Sequence, residues 1–151
     1  MRRHAATSRV GQAILVAAFV VALGPAFAWA QQEEAQQIQA EVNVLFAQIA
    51  ARTDLPRIWD LAAQIRQLGT RNLEAVRAVM ATQRSSQDSR VKLVLAHLRG
   101  SLLADREGAY EAALDLIESA EALDVRMAAA TLLGIYGLDV DSAFDELPEL
   151  L

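Results

Sequence analysis

Apolar residues fall into one uninterrupted run near the N-terminus and then, from Gln31 onward, into stripes spaced by three and four. Ala35, Ile38, Val42, Leu45 and Ile49, with glutamines and glutamates between them, predict an amphipathic helix over Gln31–Ala51. The same spacing fills two heptads, fewer than a coiled coil needs, so this helix is expected to pack on the helices after it. Asp54 as a cap and Pro56 in the first turn start a second helix with an inner stripe of Ile58, Leu61, Ala62, Ile65 and Leu68, stopped by Gly69. Asn72 caps a shorter one with Leu73, Val76, Val79 and Met80 inside. The polar stretch Gln83–Asp88 reads as a loop, and a helix from Ser89 to about Ala104 turns Val91, Val94, Leu95, Leu98 and Leu102 inward. Asp105 caps a helix carrying Tyr110, Ala113, Leu114, Ile117 and Ala120, and Asp124 caps one carrying Val125, Ala128, Ala129 and Leu132 that ends near Gly134 and Gly137. Asp139 or Asp141 starts a last helix that Pro148 disturbs. No segment alternates with period two, which makes the class all-α.

Laid over itself from Arg57, Val91 and Val125, the chain shows a 34-residue period. Ala62, Ala96 and Ala130 share one column, Ala75, Ala109 and Ala143 another, and Val76, Tyr110 and Phe144 the next. Two helices per period predict stacked antiparallel helical hairpins, a short α-solenoid in which each hairpin buries its face against a neighbour. An irregular helical bundle with a shared amphipathic pattern is the alternative. The expected division is residues 1–30, an N-terminal helix over 31–52, and a repeat domain over 53–151 whose last repeat stops on Leu147-Pro148-Glu149-Leu150-Leu151, either as a truncated array or as a tail that packs on a partner.

Gly108, Tyr110, Ala113 and Ala120, in EGAYEAALDLIESAEAL, resemble the second half of a tetratricopeptide repeat. Gly100 and Ser101 stand where that motif has Leu-Gly, and Val125 where it closes with proline. DVRMAAATLLGIYG from Asp124 is similar to the inner helix of a HEAT-type repeat. Both resemblances imply a surface that receives a protein or peptide, and neither implies an activity.

The N-terminal run has a different logic. Arg2, Arg3 and Arg9 precede the apolar Ile14–Leu23; Gly24 and Pro25 break it, and Ala28-Trp29-Ala30 offers small residues where a signal peptidase reads. Cleavage after Ala30 is expected, giving a periplasmic or extracellular chain that starts at Gln31. If the segment stays uncut, residues 13–30 are uncharged and long enough to anchor the chain in a membrane.

Composition narrows the chemistry. The chain has no cysteine, which excludes disulfides, thiolate metal sites and a cysteine nucleophile. Its formal charge is −5, and loss of the three arginines in residues 1–30 leaves −8, a poor match to nucleic acid. The charge is polarised: Arg52–Arg106 holds ten basic and five acidic residues, whereas Glu107–Leu151 holds eleven acids against Arg126. This suggests head-to-tail self-association, or docking of a basic peptide on the acidic end.

No catalytic constellation stands out, and no metal or cofactor is called for. His97, the one histidine after residue 30, projects away from the Val91–Leu102 stripe and reads as a surface residue. The acids from Asp139 to Glu149 lack the glycine and offsets of a calcium loop. The expectation is a non-catalytic interaction or scaffold module, with Arg99, Tyr110, Tyr136 and Phe144 as candidate partner-binding residues. The alternative is a carboxylate-dependent hydrolase, or a fragment of a larger exported enzyme, working through two acids that the fold brings together.

Overall fold

In the computed structural model the backbone is described over residues 7–137 and side chains from residue 28. Asn72 sets the first turn of the fold. Its Oδ1 accepts the Ala75 N–H at 3.0 Å while its own N–H donates to the Leu68 carbonyl, so one residue closes α2 (Leu55–Arg71) and opens α3 (Leu73–Gln83). Asp88 opens α4 (Ser89–Leu102) through Oδ1, which accepts the N–H groups of Arg90 and Val91. Asp105 does the same for α5 (Arg106–Ser119), accepting the Gly108 N–H at 3.0 Å. Two expected caps differ. Asp54 stands at the N-cap of α2 without a side-chain cap bond. Asp124 lies inside the first turn of α6 (Leu123–Tyr136), where Ala122 holds the N-cap. Among the described residues there is no strand, and the fold is all-α.

The first helix, α1 (Thr7–Ala50), crosses the boundary between two compact units, residues 1–37 and residues 38–151. In the first unit the helix runs through Gly24-Pro25, where the sequence predicts a break. Proline's fixed φ is compatible with a helix, and its cost is one backbone hydrogen bond and crowding of the preceding turn. The described side chains of this unit, from Ala28 on, are largely exposed, Trp29 at 75 %. The side chains of residues 13–27 lie outside the described set. Among the described residues no helix is long and apolar enough to cross a membrane.

In the second unit the predicted stripe of α1 is buried at Ile38, Val42, Leu45 and Ile49, and Phe46 joins it. Helix α2 packs on α3 and on α4; α4 packs on α5 and α6, and α5 on α6. α4 therefore touches elements on several sides. Leu93 and Ala96, outside the predicted inner stripe, are fully buried with Val91, Val94 and Leu98. In α5 the buried positions are Gly108, Ala109, Ala113 and Leu116, whereas the predicted Tyr110, Leu114 and Ile117 are half-buried. Two alanines and Leu116 share a cluster with Leu93 and Ala96 of α4, and the alanines let the axes approach.

The helices α2, α4 and α6 begin at Leu55, Ser89 and Leu123, in step with the 34-residue period. Burial follows this spacing only in part. One period carries Val91, Leu95 and Leu98 onto Val125, Ala129 and Leu132, all buried. Ile58, Leu61, Ala62 and Ile65 instead match the buried Val91, Val94, Leu95 and Leu98, a register one residue short of the period. One residue turns a helix face by about 100°. The column Ala62, Ala96, Ala130 fails at its third member, which is exposed although α4 and α6 keep the 34-residue register. The predicted last helix, and with it Ala143, Phe144 and Pro148, lies outside the described residues.

Candidate functional site

α3 and α5 flank α4 and leave a groove of about 340 Å³ over it. Met80, Leu95, Ala96, Leu103 and Ala112 supply an apolar lining. Arg77, Arg84, Lys92 and Arg99 supply four positive charges, against Asp115 alone among the described residues. Arg77 pairs with Glu74 at 3.0 Å and Arg99 with Asp105 at 2.7 Å. Among the described residues, no ion pair engages Arg84 or Lys92.

Arg99 is held by the α4–α5 turn. Ala104 takes a left-handed conformation (φ 55°), and the Asp105 N–H reaches back to the Arg99 carbonyl at 3.0 Å, closing the end of α4. That turn aims Asp105 both ways: Oδ1 caps α5 at Gly108 while Oδ2 accepts from Arg99 Nε at 2.8 Å. The two bonds hold the Asp105 carboxyl below its ordinary range, the Gly108 bond contributing most. Gly108 leaves the space that the Arg99 guanidinium occupies, and a Cβ there would displace it from Asp105.

Near the α2–α4–α6 junction, Trp59, His97 and Tyr136 form a chain of rings. The Trp59 and His97 centroids are 5.3 Å apart, edge to face, and those of His97 and Tyr136 are 6.4 Å apart. The Tyr136 hydroxyl donates to the His97 carbonyl at 3.1 Å and lies 3.1 Å from His97 Nδ1. With its one proton committed to the carbonyl, the contact at Nδ1 calls for the Nδ1–H tautomer. His97 is therefore no surface histidine. It is half-buried, and burial, then the nearby Arg66 charge, lowers its pKa. The inward stripe of α4 alone points His97 outward, but the outward side of this helix is itself covered, by α2 and α6.

The four candidate residues separate in space. Arg99 lines the groove. Tyr110 is half-buried on α5 and does not line it. Tyr136, expected at a surface or groove position, is 6 % exposed and belongs to the core, its ring accommodated by Gly100, whose Cβ would collide with it. Phe144 lies outside the described residues. Arg77, Arg84 and Lys92 are not distinguished individually by the sequence; their only signal there is the positive excess of Arg52–Arg106. Among the described residues no group of three metal-ligating side chains converges.

Comparison with protein-family models, curated proteins and solved structures returns no match for this chain.

Proposed function

We propose that the helical domain is a non-catalytic interaction module that receives an acidic protein or peptide segment in the groove over α4. The observation that carries this reading is the pairing of an apolar floor, Met80, Leu95 and Ala96, with a cationic rim, Arg77, Arg84, Lys92 and Arg99. Apolar area supplies affinity and the rim selects carboxylates and speeds encounter. Among the described residues a single acid, Asp115, lines the groove, which favours binding over the facing carboxylate pair a glycosidase needs. The tetratricopeptide-like stretch around Gly108 and Tyr110 fits the same role. In this reading residues 1–30 export the chain and are removed after Ala30, and the module works in the periplasm or outside the cell.

Fluorescence anisotropy with a labelled peptide of alternating Glu and Leu, and its Lys-Leu counterpart, tests the proposal. Binding of the acidic peptide alone, weakened at least tenfold by the double substitution R84E/K92E and by raised salt, is expected. Equal binding of both peptides, or no effect of the substitutions, overturns it.

A further inference from the structure

The groove over α4 does not end at Lys92. A second cavity, of about 430 Å³, adjoins it, and Lys92 lines both. Along α4 the two cavities take Arg99, Ala96, Leu95, Lys92 and Ser89 in turn, and along α5 Ala112, Asp115, Leu116, Ser119 and Ala120. Steps of one and three keep each series on one face of its helix, and the short turn between the helices sets them antiparallel. The cavities are therefore consecutive lengths of one furrow between α4 and α5, open from Arg99 at one end to Ser89 and Glu121 at the other. Ser89 and Arg99 stand ten positions apart on α4. That is about 15 Å at the helical rise, a distance an extended chain covers in about four or five residues.

The two ends differ in charge. At the first, the Asp105 carboxyl is lowered chiefly by the Gly108 bond, then by Arg99 and by the charge of Arg84, so both guanidinium groups stand near it. At the second, α5 stops at Ser119 with no basic residue in its last turn, and Glu121 follows. The carbonyl end of a helix carries a partial negative charge, which adds to that of Glu121. Glu121 is exposed, and among the described residues no ion pair engages it. Lys92, the one cation lining the second cavity among the described residues, is shared with the groove. Ser89 and Ser119 add hydroxyls that donate or accept hydrogen bonds.

From this we infer that the furrow continues past the groove into a subsite for a basic group at Glu121. Its ligand is an extended segment with carboxylates at the Arg84–Arg99 end and a lysine or arginine about four or five residues away. The inference rests on the reading of the groove as a site for acidic peptides, and adds the length and charge order of what it takes.

Fluorescence anisotropy with end-blocked peptides tests it. A Glu-Leu-Glu head is followed by a serine spacer that sets one lysine two or five residues away, each peptide is made in both chain directions, and the parent carries serine in place of the lysine. In one direction the lysine at five residues should tighten binding at least threefold over the parent, and the lysine at two should not. E121Q should remove that gain and leave the parent's affinity unchanged. E118Q, at an exposed acid of α5 that lines neither cavity, should preserve the gain. A gain indifferent to spacing, one that survives E121Q, one lost equally in E118Q, or no gain at all would overturn the inference while binding of the acidic parent persists. Failure of every peptide to bind, the parent included, would overturn the reading of the groove and this inference with it.

Discussion

The Tyr136 hydroxyl and the His97 carbonyl are 3.1 Å apart, 39 positions apart in sequence, and join the end of α6 to the middle of α4. The bond forms because Gly100 leaves room for the Tyr136 ring one turn further along α4. Gly69 plays a related part between α2 and α4, where its bare Cα faces Leu102, the residue one period before Tyr136. The stack is thus locked at the C-terminal ends of its helices by a large side chain seated on a glycine of the preceding helix.

Removing only the hydroxyl isolates the bond. Tyr136→Phe keeps the ring and gives up contacts to the His97 carbonyl and Nδ1, and should cost about 1 kcal/mol in urea denaturation. A loss below a few tenths would mean that the hydroxyl is equally well served by water.

His97 makes stability depend on pH. Its folded pKa lies below the usual imidazole value, so the unfolded chain binds the proton more readily. The stabilisation is complete above the unfolded value, about 6.5, and falls as pH drops through it toward the lower folded value. Urea midpoints should therefore decline between about pH 7 and pH 5, and His97→Gln should flatten that slope. An unchanged slope in the variant would assign the decline to other groups.

Glycines of α4 and α6 should respond oppositely to alanine. Gly100→Ala drives a methyl into a packed aromatic ring and should cost about 2 kcal/mol or more, beyond the helix propensity it gains. Gly134→Ala meets open space and should stabilise by up to about 1 kcal/mol. Ala104→Gly, at φ 55°, should also stabilise, by about 1 kcal/mol, by relieving the left-handed conformation. Thermal melts of the three variants give the signs directly.

Caps that look alike in sequence should differ in worth. Asn72→Ala and Asp88→Ala remove observed bonds to helix N–H groups and should each cost about 1 kcal/mol. Asp54→Ala removes none and should stay within about 0.5 kcal/mol of the parent. Equal losses at all three would show that Asp54 forms its cap in solution.

The sequence by itself determined the helical class, the positions of α2 to α6 within a few residues, and most of the buried stripe of α1 and α2. These are local properties: spacing by three and four, and a polar cap before each apolar run, act within one helix. Only the tertiary structure decided which faces of α4 and α5 are buried. A helix covered on several sides has no single stripe to read, so periodicity leaves Leu93 and Ala96 out of the core and turns His97 the wrong way. The groove is likewise invisible as a pattern, since Arg77, Arg84, Lys92 and Arg99 stand on two helices and the loop between them, and acquire a common position only where α3 and α5 flank α4. Helical periodicity identifies what a segment hides; the number and arrangement of its neighbours decides how much of it there is to hide.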